Sequence, residues 1–105
     1  MVQHVTSQEL EQLLTSSEKT VFCDFWAAWC GPCRMLAPVF EGVASAYEGK
    51  AEFVKINVDE EEDAARAYGI SSIPNVLAFK NGEMKAYNLG FVPQAVLENF
   101  VKNNL

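Results

Sequence analysis

Two thiols stand two residues apart in Trp29-Cys30-Gly31-Pro32-Cys33, after the apolar run 20–26 and ahead of a long helical pattern. Cysteines at this spacing can close a small disulfide ring without help from distant chain. With Cys33 in the first helical turn, Cys30 sits just outside it. Unpaired backbone N–H groups and the positive end of the helix dipole then favour a thiolate there. The thiolate is the attacking species in disulfide exchange, so strand, Cys-x-x-Cys and helix together read as a dithiol redox site. Half of a zinc site is the alternative for such a pair. Zinc needs four ligands, and only Cys23 and His4 remain, neither at a ligand spacing. No metal is therefore expected. Gly31 and Pro32 hold a tight turn between the sulfurs, and Pro32 suits a helix start.

Asp24 is the other residue with chemistry in it. A carboxylate inside an apolar strand costs several kcal/mol unless it is neutral or paired. Desolvation should raise its pKa, which suits proton exchange with a neighbouring thiol. The plainer alternative is a structural Asp satisfied by backbone or water. Lys55, in the strand pattern 52–58, can balance its charge, or can be a solvent-exposed strand lysine. Cys23, on the opposite strand face, is expected to pack as a small apolar side chain, and His4 to lie at the surface.

The elements that must position these groups follow from periodicity. Thr6 and Glu9 have capping-box spacing, Val5 and Leu10 staple spacing, and Leu10, Leu13 and Leu14 stripe a short first helix ending at 15–17. The run 20–26 has strand length and is mostly apolar on both alternating sets, which predicts a central strand covered on both faces. From Cys33, Leu36, Val39, Phe40, Val43 and Tyr47 keep helical spacing, with Pro38 inside and Gly49 as the stop. Residues 52–58 make a second strand, parallel to the first across the helical connection. Asp59 is placed to N-cap a helix whose first turn holds Glu60, Glu61, Glu62 and Asp63, with Gly69 at its end. Residues 75–80, Asn81-Gly82 and 83–89 predict a hairpin with a type I′ turn. Pro93 suits the first position of a last helix that buries Val96, Leu97, Phe100 and Val101. The pattern is α/β with a mixed sheet.

At 105 residues, half of them apolar, the chain is long enough for one domain, 1–105, with a real core. A net charge of −6 argues against a nucleic-acid or anionic-membrane surface. Three cysteines are too few for a secreted disulfide framework. No signal-peptide pattern and no apolar run of membrane-spanning length is visible, so a cytoplasmic protein is expected.

The segment Asp24-Phe25-Trp26-Ala27-Ala28-Trp29-Cys30-Gly31-Pro32-Cys33-Arg34-Met35 closely resembles the active-site segment of the thioredoxin family. So do Lys55-Ile56-Asn57-Val58-Asp59, Tyr68-Gly69-Ile70-Ser71-Ser72-Ile73-Pro74, Phe79-Lys80-Asn81-Gly82 and Gly90, in the family's order and spacing. The resemblance covers essentially the whole chain. It implies a thioredoxin fold, a central five-stranded mixed sheet flanked by four helices, with the dithiol at the start of the second helix. It also implies a general dithiol reductant of protein disulfides, an electron carrier of cell redox homeostasis. Such a protein has no bound cofactor, acts as a monomer, and is re-reduced by a thioredoxin reductase that draws on NADPH. Carried onto this sequence, Cys30 is the nucleophile, Cys33 the resolving thiol, and Asp24, with Lys55 nearby, the acid/base. The Ile73–Pro74 bond is implied to be cis and to face the dithiol. Trp29, Gly31, Pro32, Ile73, Pro74, Gly90 and Phe91 are implied to form the groove for disulfide-containing clients. Three departures stand out: Asn75 where many bacterial members have Thr, Arg34 for the common Lys, and the bulky Phe91-Val92-Pro93. A fold-related oxidase or isomerase is disfavoured by Gly31-Pro32. A binding subunit without turnover is disfavoured by the intact Cys30, Cys33 and Asp24.

Overall fold

A computed structural model describes residues 2–105. The elements in chain order are β1 (Gln3–His4), α1 (Ser7–Ser16), β2 (Val21–Trp26), α2 (Gly31–Ala46), β3 (Glu52–Asn57), α3 (Glu62–Ala67), β4 (Asn75–Lys80), β5 (Glu83–Leu89) and α4 (Gln94–Asn103). The strands lie in the order β1-β3-β2-β4-β5, with β2 parallel to β3 and antiparallel to β4. Five strands and four helices are what the resemblance implies. Four strands were readable individually. The fifth, β1, pairs only Gln3 with Val54 and His4 with Lys55, and two exposed residues carry no periodicity.

Strand β2 is central because it is apolar on both faces. Phe22 packs with Leu36, Phe40 and Val43 of α2 and Leu97 and Val101 of α4. Val21, Cys23 and Phe25 point the other way, toward Leu10 and Leu14 of α1 and Leu77 and Phe79 of β4. Strand alternation puts Asp24 on the Phe22 face, under α2. Helix α2 begins at Gly31, two residues ahead of Cys33, runs through Pro38 and ends at Ala46. In the hairpin, Asn81 (φ 55°) and Gly82 (φ 78°) both have the positive φ that a type I′ turn requires. A register shift at Ala78/Phe79, invisible in the sequence pattern, brings Met84 opposite Phe79.

Two local expectations are corrected. Asp59 does not cap α3, which starts at Glu62. The Asn57 side-chain oxygen accepts the Asp59 N–H at 2.9 Å and holds 57–60 as a turn instead. Glu61, within the acidic run, accepts the Ser7 N–H at 2.8 Å and so serves the first turn of α1. Pro93 stands one position earlier than expected, as the N-cap residue of α4.

The start of α1 has the expected reciprocal cap. Thr6 Oγ1 accepts the Glu9 N–H at 3.1 Å, and Glu9 Oε1 accepts the Thr6 N–H at 2.9 Å. Thr6→Ala should lower the unfolding free energy by about 1 kcal/mol in denaturant titrations, and Thr6→Asp, which keeps an acceptor, should lose much less.

Candidate active site

The C-terminal end of β2, the start of β4 and the end of β5 meet at one end of the sheet, since Phe25 pairs with Asn75 and Asn75 with Leu89. From that end residues 27–30 lead into α2. Cys30 is the N-cap of α2, and its sulfur accepts the Cys33 N–H at 3.2 Å. The two cysteines form a disulfide with Cα atoms 5.2 Å apart. Cys30 is the outer sulfur, 4% exposed against 1% for Cys33. The backbone around them is tied down: Cys30 N–H donates to Ala27 O at 3.2 Å, Arg34 N–H to Cys30 O at 3.1 Å, and the Arg34 guanidinium to Ala28 O at 3.0 Å.

The other residues singled out in the sequence divide into those at the dithiol and those around it. Ile73 packs with Ala27, Cys30 and Cys33, and its carbonyl oxygen lies 3.9 Å from the Cys30 sulfur. This is a contact, since a disulfide sulfur has no hydrogen to donate. The Ile73–Pro74 bond is cis. Gly90 donates its N–H to Pro74 O at 2.8 Å. With a φ of +91° and open space where a Cβ would stand, conformation selects glycine there. Phe91 follows it, exposed. Gly31 and Pro32 form the first turn of α2, with Pro32 exposed. Trp29 is 68% exposed beside Cys30 in the chain.

Asp24 is fully buried, and neither carboxylate oxygen has a hydrogen-bond partner among the described residues. Desolvation pushes its pKa up from 3.8 to about 7, against the opposing pull of the Lys55 charge. Lys55 is buried rather than solvent-exposed. It pairs in register with Asp24 across β2 and β3, and its ammonium lies 4.7 Å from the centre of the Trp26 ring. Trp26 therefore separates the lysine from solvent and also packs against the cysteine cluster. His4, exposed as expected, meets the edge of the same ring at 5.6 Å. Cys23 is free and buried on the other face, and burial, then the Asp24 charge, push its thiol well above the ordinary range. Among the described residues no group of three or more His, Cys, Asp or Glu is arranged to hold a metal ion.

Sequence reasoning missed Asp59. Its carboxylate accepts the indole N–H of Trp29 at 2.8 Å, which orients the exposed ring beside Cys30. The turn-forming Asn57 two residues earlier was the available signal, because an Asx turn there removes Asp59 from the capping position and frees its carboxylate.

Comparison with known proteins adds the following. The family model described as Thioredoxin matches residues 1–103. A chloroplastic M-type thioredoxin of Pisum sativum is 48% identical over 101 residues, which are 96% of this chain and 59% of the pea protein. Thioredoxin of Haemophilus influenzae is 38% identical over 104 residues, 99% of this chain and 97% of the relative. Thioredoxin of Rickettsia bellii is 40% identical over 105 residues, all of both chains.

The Asp24 environment gives a pH-dependent signature. Its folded-state pKa, about 7, lies above the unfolded value near 3.8, so folding disfavours the carboxylate. The resulting destabilisation is absent below pH 4, grows as pH rises, and is complete above pH 7. The stability of Asp24→Asn relative to wild type should therefore rise by about 4 kcal/mol between pH 3 and pH 8. Denaturant titrations at several pH values check this, and a pH-independent difference would mean that Asp24 titrates normally in the folded protein.

Proposed function

The chain belongs to the thioredoxin family and is a thiol–disulfide oxidoreductase; from that premise we propose how its own residues divide the work of reducing protein disulfides. One observation carries the assignment: the Cys30 sulfur occupies the N-cap of α2 and accepts the Cys33 N–H. In the reduced protein that N–H and the helix dipole favour a Cys30 thiolate. The thiolate attacks one sulfur of the client disulfide. A Cys30–client disulfide forms, and the other client sulfur leaves as a thiolate that takes a proton. Cys33 then gives up its proton and attacks the Cys30 sulfur. The second client thiolate departs and Cys30–Cys33 is left oxidised, two electrons having passed to the client.

Asp24 is the acceptor for the Cys33 proton. A carboxyl group with a pKa of about 7 can take and release a proton near neutral pH. Lys55 keeps the carboxylate accessible by offsetting its charge. Trp29, Gly31, Pro32, Ile73, Pro74, Gly90 and Phe91 form the client groove, in which the Ile73 carbonyl beside Cys30 accepts a client backbone N–H.

Residues 1–105 act as one domain and as a monomer, with thioredoxin reductase and disulfide-containing proteins as partners. No helix among the described residues is long and apolar enough to cross a membrane. The near full-length match to two bacterial thioredoxins supports a cytoplasmic location, and the pea relative makes an organelle the second reading.

Cys30→Ser should abolish disulfide reduction, whereas Cys33→Ser should accumulate mixed disulfides through Cys30, since nothing resolves them. Each variant is incubated with a disulfide-bonded protein and the products are separated without reductant. Trapping by Cys30→Ser alone would reverse the assignment of the two thiols.

A further inference from the structure

Beyond the groove at the dithiol, a cavity of about 250 Å³ runs along the α3-side face of β4 and β5. Tyr68 and Ser72 wall it, and Asn75, Met84, Tyr87 and Leu89 line its floor. Met84, Tyr87 and Leu89 are all exposed, Tyr87 by 61%, although they stand opposite Phe79, Leu77 and Asn75 on a face that is core elsewhere in the sheet. No Asp, Glu, Lys or Arg lines it, in a chain that carries 14 acidic and 8 basic residues. Its upper end is bounded by Ser72, Asn75 and Leu89, the chain neighbours of residues at the dithiol. Ser72 precedes Ile73, whose carbonyl touches the Cys30 sulfur, and Leu89 precedes Gly90, which is bonded to Pro74. Asn75, at that same end, has a buried side-chain oxygen without a hydrogen-bond partner among the described residues.

Thiol–disulfide exchange fixes where the client must be, because its sulfur has to reach Cys30. A chain leaving that point along β4 meets this cavity next. From Leu89, opposite Asn75, to Met84, opposite Phe79, the floor extends about 13 Å, the length of roughly four extended residues. Resting on the reductase function argued above, we propose that the cavity is a second docking site for the client. It takes an extended, uncharged segment flanking the reacting cysteine and carrying at least one large apolar side chain. The apolar floor supplies the binding, with Met84 adapting to different side chains. When the Asn75 side chain turns outward, its oxygen accepts a backbone N–H of the segment. The consequence is client selection: among equally accessible disulfides, those with apolar neighbours are reduced at lower concentration.

The test uses two synthetic peptides that share one internal disulfide. One carries a five-residue Leu- and Phe-containing flank, and the other has Ser at those positions. Reduction by the pre-reduced full chain is followed against peptide concentration for wild type, Tyr87→Ser and Met84→Gln. Wild type should half-saturate at about tenfold lower concentration with the apolar peptide, and each variant should lose most of that gain. Limiting rates, and all values for the Ser peptide, should stay unchanged. Equal half-saturation of the two peptides by wild type would overturn the docking site, as would an equal loss on both peptides in the variants. Sedimentation showing a wild-type dimer that Tyr87→Ser dissolves would assign the surface to a second copy of the chain and overturn it as well. Failure of wild type to reduce either peptide would overturn the reductase function itself, and the docking site with it.

Discussion

A sulfur atom does the work of a helix cap in this protein. The N-cap of α2 is Cys30, and its Sγ receives the Cys33 N–H that a serine or aspartate oxygen receives in most helices. A neutral thiol is a weak acceptor and a thiolate a strong one, so the start of α2 is best satisfied when Cys30 is charged. The Cys30 sulfur and the helix terminus are thus one object, and what holds α2 in place also sets the surroundings of that sulfur. Leu36, Phe40 and Val43 anchor the helix on Phe22 of β2. The hydrogen bonds of 27–34 then fix where the first turn begins.

Asp24 shows the opposing demand. Two residues from Phe22 on the same strand face, it sits where an apolar side chain would add to the core, and its oxygens have no hydrogen-bond partner among the described residues. Lys55, directly opposite on β3, does not hydrogen-bond it, and the lysine's charge is met by the Trp26 ring. A close ion pair would hold the carboxyl ionised and low in pKa. Keeping the two charges near but apart leaves desolvation dominant and the pKa about 7, at the cost of stability above pH 4.

The sequence was most readable where one residue decides one conformation. Thr6 with Glu9, Asn81-Gly82 and the two apolar faces of β2 each have a local cause, and the structure has all three features. The juxtaposition of Cys30 and Cys33 at a helix start was readable because strand, loop and helix are consecutive. What escaped depends on competition between neighbours. Asp59 has the residue type of an N-cap, but Asn57 takes the turn first and the Asp59 carboxylate goes to Trp29. Strand β1 is two residues of backbone pairing with no side-chain pattern to betray it. Lys55 could be read as exposed or buried until the Trp26 ring was seen to cover it.

The turn at Asn57 and the stop near Gly69 bound α3 from its two ends. By holding 57–60 outside the helix the turn delays α3 to Glu62, and Gly69, with a φ of +66°, follows closely upon its end at Ala67. Six helical residues extend only about 9 Å, against about 23 Å for the seven residues of β5. Helices α1 and α3 pack on the face over β2 and β3, while the outer part, with Met84, Tyr87 and Leu89, is exposed. The same turn delivers the Asp59 carboxylate to Trp29. A single side-chain-to-backbone hydrogen bond thus sets where α3 starts and frees the carboxylate that orients the aromatic residue next to Cys30 in the chain.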